Sequence, residues 1–326
     1  MGYSHWSDDA FQARQDHRRS SGQTAFTSDA WVRATGQTRV HSQMDPFGVT
    51  RESRDSAEHP DSLAIGVMFD VTGSMGSVPR TLQTKLGSLM RLLVEKGYVA
   101  HPQVLFGAIG DANCDRVPLQ VGQFESGLEM DDDLGKIYLE GGGGGQVHES
   151  YELAIAFFAL HTAIDCFDKR GRKGYLFTIG DEKPYAAVSS EHMRRHLGDR
   201  LHDHVPTARL VQELQRRYHH FHIIPTNTAH GRSDDVQSCW RALLGERVLL
   251  LEEEAAVCET IALAIGLNEG TARDVASGVD DLVRAGHGRD AADAAARALA
   301  GYSPARSARL ASSVFTPRGG RLRASH

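Results

Sequence analysis

Three side chains that carry oxygen, Asp70, Thr72 and Ser74, occupy every second position directly after an apolar run. An extended turn can direct alternate side chains toward one point, so a single cation could collect three oxygen ligands there. Mg²⁺ prefers about six oxygen ligands and keeps some of its water, so a small set of protein ligands leaves positions open. The spacing indicates a site for a hard divalent cation. The alternative is a helix N-cap, because Asp, Thr and Ser all cap helices well.

The sequence on both sides of this loop predicts the elements that position it. Residues 63–69 are continuously apolar, as is typical of a central parallel strand, and the stripe that begins at Val78 predicts a helix. Strands are also predicted at 104–109, 119–124, 175–180, 221–224 and 248–251, and helices at 149–167, 206–218, 234–244 and 254–265. This alternation predicts an α/β fold, a doubly wound, mostly parallel sheet with one antiparallel edge strand.

Aspartates follow three of the predicted parallel strands. Asp70 ends the first, Asp111 comes just after the second, and Asp181 just after the strand at 175–180. Ligands of doubly wound sheets bind beyond the carboxyl ends of the strands, so this edge is the expected site. Asp111 either holds waters or hydroxyls in place around a metal or only forms a turn.

Together these features resemble the von Willebrand factor A (VWA) domain, whose metal-ion-dependent adhesion site (MIDAS) has the signature D-x-[ST]-x-S. Asp70, Thr72 and Ser74 match that signature, with an apolar strand before it and an amphipathic helix after it. The resemblance covers approximately residues 62–268 and implies the Rossmann-like VWA fold. The Arg- and Ala-rich composition of the chain favours a bacterium of high GC content, and the resemblance then implies the bacterial, intracellular type of the family.

The resemblance also implies the remaining metal ligands. Asp181, in a Gly-Asp pair at the end of a later strand, matches the aspartate that completes the site in the family. The other ligand is Thr in many members and a carboxylate in members that resemble integrin β-subunits, and Glu149 matches the carboxylate form. Gln146 stands where an acidic residue often lies, which argues against a flanking second metal site. The implied cofactor is one Mg²⁺ or Mn²⁺.

The chain divides into four segments by composition. Residues 1–60 are polar with isolated aromatics, which favours an arm lying on the main domain. Residues 61–268 form the expected VWA domain, 269–302 a small helical appendage, and 303–326 an arginine-rich tail.

Bulk properties exclude several classes of protein. The formal net charge of −6 argues against a dedicated nucleic-acid binder, because phosphate contacts require a basic face. No stretch approaches the roughly 20 apolar residues of a membrane helix, and no secretory signal is recognised, so a cytoplasmic protein is expected. The 4 cysteines are scattered, which predicts reduced thiols.

The function that these features predict is protein binding without catalysis. The metal would keep an open position for an Asp or Glu carboxylate of a partner protein. The resemblance implies a scaffold or an adaptor for an AAA+ ATPase, and the arm and appendage could support self-association.

Two alternatives come from other classes of protein. A metal-dependent hydrolase or phosphatase could use Asp70 as nucleophile, but Thr72 stands where such enzymes need a second acid. An RNA-binding VWA protein could use the arginine-rich tail. The acidic net charge and the absence of interleaved aromatic residues weigh against this second alternative.

Three further clusters have simpler interpretations. His220 and His222 share one face of a predicted strand that His219 cannot join, which favours satisfied histidines over a metal site. The acidic run 131–133 is interpreted as a solvated helix start. The glycine run 141–145 lacks the lysine of a phosphate-binding loop and is expected to lie near the metal.

Overall fold

A central sheet organises the fold in the computed structural model, which describes residues 4–141 and 147–304 and, at residue 74, the backbone alone. The strands of these residues are β1 (Arg51–Ser53), β2 (Leu63–Asp70), β3 (Pro102–Ile109), β4 (Leu119–Val121), β5 (His148–Glu149), β6 (Thr162–Ile164), β7 (Gly174–Ile179), β8 (Lys183–Pro184), β9 (Ala187–Val188), β10 (Val205–Pro206), β11 (Tyr218–Pro225) and β12 (Val248–Leu251). The helices are α1 (Asp8–Ser21), α2 (Thr27–Thr35), α3 (Val78–Thr84), α4 (Leu86–Val94), α5 (Glu129–Gly135), α6 (Tyr151–Leu160), α7 (Asp165–Asp168), α8 (Ser190–His192), α9 (Thr207–Leu214), α10 (Asp234–Leu244), α11 (Val257–Glu269), α12 (Val275–Arg284) and α13 (Arg289–Leu299).

The order of strands in the main sheet is β12-β11-β7-β2-β3-β4. Neighbouring strands are parallel except β4, which runs antiparallel to β3 at one edge. From β2 the chain moves outward through β3 to β4 and then returns to the other side of β2 as β7. The carboxyl ends of β2 and β7 therefore flank the point where strand order reverses. The predicted α/β fold with a mostly parallel sheet is confirmed.

Every residue of β2 and β3 is buried, as expected for a parallel sheet that helices cover on both faces. One pair of packed helices is α4 with α11, and another is α6 with α9. Gly66 of β2 lies so close to α6 that an added Cβ would overlap the ring of Phe158. This close approach brings the start of α6 next to the carboxyl end of β2.

Two predicted helices are divided in the structure. The helix expected from Val78 onward breaks at Lys85, whose ammonium group donates to the Ala255 carbonyl and pairs with Glu259 at 2.9 Å. The helix expected at 149–167 begins later as α6 and is followed by β6 and α7. Backbone pairing explains this second division, because β6 pairs in parallel with β1 of the N-terminal segment.

The N-terminal segment forms two helices that pack on the main sheet domain. In α1, Phe11 is buried and lies against Gly87 of α4. On the same helix, the Arg18 guanidinium donates to both carboxylate oxygens of Asp131, at 2.9 and 2.6 Å. Asp131 is fully buried, so its predicted place in a solvated helix start is wrong. The reason is nonlocal, since its charge is balanced by arginines of the arm.

The C-terminal helices α12 and α13 pack on α11 and on each other. A buried ion cluster joins them to the main domain: the Glu259 carboxylate lies 2.9 Å from Lys85 Nζ and 2.9 Å from His287 Nδ1. Most of the predicted arginine-rich tail, from residue 305 onward, lies outside the described residues. None of the helices in the described ranges combines the length and apolarity needed to cross a membrane. All four cysteines have free thiols.

Candidate metal centre

The candidate site lies where β2 and β7 end. Asp70 is the last residue of β2, and Asp181 follows β7 by two residues; both side chains are completely buried. The loop after β2 makes a 3-10 turn at Gly73–Met75 and leaves it through Gly76, whose φ is +53°. That backbone conformation favours glycine and lets the chain turn directly into α3.

Asp70 holds its own loop in place. Its Oδ1 accepts hydrogen bonds from the Thr72 amide at 2.8 Å and from Thr72 Oγ1 at 2.6 Å. The hydroxyl of Tyr151, at the start of α6, donates to Asp70 Oδ2 at 3.1 Å. Burial, and to a smaller extent the charge of Asp181, raises the pKa of Asp70 to about 7, although these hydrogen bonds act to lower it.

Asp181 comes close to Asp70 because Gly180 has no side chain. A Cβ on Gly180 would overlap the Tyr151 hydroxyl and would lie 3.1 Å from Asp70 Cβ. Asp181 Oδ2 accepts a hydrogen bond from the His230 amide at 2.8 Å. The Gly-Asp pair that the sequence singled out is therefore a steric requirement of this edge.

Glu149 reaches the site through an unexpected pair of short strands. It lies in β5, which pairs in parallel with β8 so that Glu149 stands opposite Pro184. Its side chain is 2 % exposed, and its Oε2 has no hydrogen-bond partner among the described residues. Burial raises the pKa of Glu149 to about 11, with further contributions from the charges of Asp70 and Glu182.

Glu182 is a site residue that sequence reasoning missed. It is 5 % exposed, and burial raises its pKa to about 8, as do the charges of Asp70 and Asp181. Its position directly after Asp181 was the one signal that could have revealed it. Burial also raises the pKa of Glu152, in the first turn of α6, to about 8. The edge therefore holds more acidic groups than the family motif requires.

Asp111 forms a turn and also connects site residues. Its Oδ1 accepts from the Asn113 amide at 2.9 Å, which is the turn-forming role. Its carboxylate also accepts from Ser150 Oγ at 3.4 Å and from the Tyr185 hydroxyl at 2.9 Å. The Tyr185 ring stacks on His148 with centroids 5.2 Å apart, so an aromatic pair borders the acidic edge.

Among the described residues, no cationic side chain contributes to the main charge effects on Asp70 or Glu149. The largest charge effects on the pKa of Asp70 and of Glu149 all come from other acidic groups. Hard divalent cations prefer such an all-oxygen donor set, and the unpartnered Glu149 oxygen is a donor available to one. Burial and donor chemistry therefore fit a divalent metal.

The predicted ligands come together only in part. Across residues 4–141 and 147–304, no three His, Cys, Asp or Glu side chains are grouped so that they could hold a metal ion. Of the predicted ligands, Asp70, Asp181 and Glu149 lie at the same edge with Thr72, which is bonded to Asp70. The Ser74 side chain and Gln146, in the loop 142–146, lie outside the described parts of the chain.

Comparisons with known proteins leave the family open. No family model and no curated protein matches this sequence. Among solved structures, the open conformation of the pilus adhesin SpaC from Lactobacillus rhamnosus GG matches 70% of this chain at a TM-score of 0.44 and 9% identity. Proximal thread matrix protein 1 from the mussel byssus matches 63% at a TM-score of 0.41 and 10% identity. This chain spans 33% of the adhesin and 47% of the matrix protein, and neither match supports an argument about function.

Proposed function

We propose that this chain is a VWA-type binding module that holds one Mg²⁺ or Mn²⁺ at the edge formed by β2 and β7. In this proposal the metal binds a carboxylate of a partner protein, and the chain is not an enzyme. The observation that carries the proposal is Glu149, a buried carboxyl whose Oε2 has no hydrogen-bond partner among the described residues and whose pKa is raised mainly by burial and by neighbouring acids. A buried carboxylate needs a proton or a positive charge beside it, and an oxygen-rich site favours a hard cation.

The residues that would hold the metal are Asp70, Thr72, Ser74, Glu149 and Asp181. Asp111 and Tyr151 would keep neighbouring groups in position, because each already makes hydrogen bonds with side chains at this edge. When bound, the metal would supply an open coordination position and a positive charge that attracts an Asp or Glu of the partner.

The partner would also contact the surface that surrounds the open coordination position of the metal. The stacked pair of His148 and Tyr185 offers a flat aromatic surface beside the acidic edge, and aromatic groups contribute strongly at protein interfaces. A multiprotein scaffold or an AAA+ ATPase is the kind of partner that we propose by analogy with the family. Self-association through the arm or the appendage belongs to the same proposal.

The hydrolase alternative is less well supported because of Thr72, which stands where such enzymes need a second acid. A hydroxyl does not transfer protons near neutral pH as a carboxyl does, and the Thr72 hydroxyl already donates to Asp70 Oδ1 at 2.6 Å. No observation on the described residues favours RNA binding at this edge, where buried acidic side chains cluster.

Titration with Mg²⁺ tests the metal. Isothermal titration calorimetry in metal-free buffer should give one saturable site for Mg²⁺ or Mn²⁺ in the wild type. The affinity should fall by at least about tenfold in D70A and in E149Q, because each removes a charged ligand. The matched control is D203A, which removes an exposed aspartate outside the site. A wild type that binds neither metal at millimolar concentration would refute the proposal.

Affinity capture tests the partner. Protein retained by the immobilised wild type in Mg²⁺ should be released by EDTA and should not bind E149Q, while D203A retains it. Y185A should weaken retention without changing metal affinity, because the Tyr185 ring contributes to the surface around the open coordination position and not to the metal. Retention that ignores both EDTA and E149Q would mean that another surface binds the partner.

A further inference from the structure

A cleft of about 490 Å³ lies between the arm and the helix that follows the candidate metal loop. Its walls are the second half of α1, the connection from α1 to α2, and α3. The described residues that line it include three arginines and three glutamines but no acidic residue. This is unusual for a chain whose net charge is −6. The volume is within the usual range of small-molecule sites.

Two of the three arginines have little or no compensating charge. Arg18 is fully used, because it binds both oxygens of the buried Asp131. Arg19 lies 3.5 Å from Asp16, and both side chains are more than half exposed, so water screens this pair strongly. Arg80 makes no ion pair with any described residue, and its guanidinium lies 5.9 Å above the centre of the Phe26 ring.

Uncharged donors stand beside these arginines. The Gln15 amide nitrogen is buried from solvent and has no hydrogen-bond partner among the described residues, although Gln15 lines the cleft. A buried donor without a partner is costly and therefore indicates a missing acceptor. Thr24 lines the cleft too, and its hydroxyl accepts from the Phe26 amide, which leaves its proton directed away from that bond.

We propose that this cleft binds a small molecule that carries a phosphate group. Guanidinium groups bind phosphate oxygens with charge-assisted hydrogen bonds, and Arg19 and Arg80 supply this charge from opposite walls. A turn of the Gln15 side chain into the cleft would let its unpartnered amide donate to the same oxyanion. The arm creates the site, because α1 and the connection after it form one wall. This function is independent of the metal, since no predicted metal ligand lines the cleft.

The test uses inorganic phosphate and phenyl phosphate as probes, with the full chain in EDTA. Calorimetry at constant ionic strength, with chloride as the reference anion, should show one saturable site for phosphate. R19Q and R80Q should each weaken it by about tenfold or more, because each removes a charge-assisted contact. Tighter binding of phenyl phosphate would show that the cleft also recognises the organic part, whereas equal affinity would assign recognition to the phosphate alone.

R289Q is the matched control, because it makes the same charge change at an exposed residue of α13. Arg19 and Arg80 are exposed as well, so these variants should fold, and circular dichroism checks that they do. If phosphate does not bind up to tens of millimolar, or if R289Q weakens it as much as R80Q, the proposal is wrong. Metal binding by R80Q should stay normal, so failure here is distinguishable from failure of the metal proposal.

Discussion

Acidification should remove the stabilising contribution of a pair of neutral histidines buried beneath the candidate metal centre. His220 and His222 lie on the same face of β11, and both contact Thr178 Oγ1, at 3.1 and 2.9 Å. The His222 ring stacks on Trp240 at 3.5 Å and meets the edge of Tyr151, the residue that donates to Asp70. Tyr151 therefore lies between His222 and Asp70, so a proton taken up by His222 is separated from a predicted metal ligand by one side chain.

The magnitude follows from the pKa of His220, which burial lowers from 6.5 to about 3. The unfolded chain binds this proton as the pH falls through 6.5, whereas the folded chain stays neutral until about pH 3. The contribution of His220 to stability is therefore complete above pH 6.5 and decreases below it. Between pH 7 and pH 5, His220 alone should remove about 2 kcal/mol from the free energy of unfolding. Burial lowers the pKa of His222 as well, so it adds to the loss.

The assay compares wild type with H220Q by urea unfolding in EDTA at pH 7, 6 and 5. The raised pKa values of buried carboxyls such as Asp70 and Glu149 give a pH dependence of opposite sign, but they are common to both proteins and cancel in the difference. The stability advantage of wild type over H220Q should shrink by about 2 kcal/mol from pH 7 to pH 5. H202Q, at an exposed histidine, is the control and should follow wild type. Parallel pH profiles for wild type and H220Q would refute the reasoning.

Three further substitutions test the packing and the charges. G66A should lower the free energy of unfolding by about 1–3 kcal/mol, because the new Cβ overlaps Phe158; an unchanged urea midpoint would contradict this. R18M should lower the free energy of unfolding by about 3 kcal/mol, because the buried Asp131 loses its main partner. Limited proteolysis of R18M should then cleave the arm first. Equal protection of the arm in wild type and R18M would count against this. E149Q in EDTA at pH 8 should raise the free energy of unfolding by up to about 5 kcal/mol. The reason is that folded Glu149, with a pKa of about 11, retains a proton that the unfolded chain releases at this pH. A lower melting temperature for E149Q than for wild type would contradict this prediction.

The central strands were predictable because their signal is local. Residues 63–69 are apolar without interruption, and in the structure β2 is buried along its whole length. Parallel strands deliver their carboxyl ends to one edge, so the aspartates at 70 and 181 were expected together before any distance was known. The same reasoning could not supply Glu182, because the sequence does not reveal that both of the adjacent acids, Asp181 and Glu182, are buried.

The divided helices and the arm depend on contacts between distant residues. Nothing near Lys85 in the sequence announces a break, which follows from its contacts with the Ala255 carbonyl and Glu259. In the sequence, Asp131 is typical of a solvated helix start. Only the structure shows that Arg18, far away in the sequence, pairs with it. Periodicity detects elements with their own apolar face, and α1 has a single buried residue, Phe11.

The pairing of β5 with β8 makes one half of the candidate site stiffer than the other. Backbone pairing holds Glu149 to the chain that leaves Asp181, and the Lys183 amide donates to the Val147 carbonyl at 3.2 Å, so this half behaves as one stiff unit. The half that carries Asp70 continues into a glycine at positive φ and a short helix that breaks at Lys85. Because β2 and β7 are paired directly in the main sheet, Asp70 and Asp181 keep a fixed separation, and any adjustment within the site falls to the loop after β2, which carries Thr72.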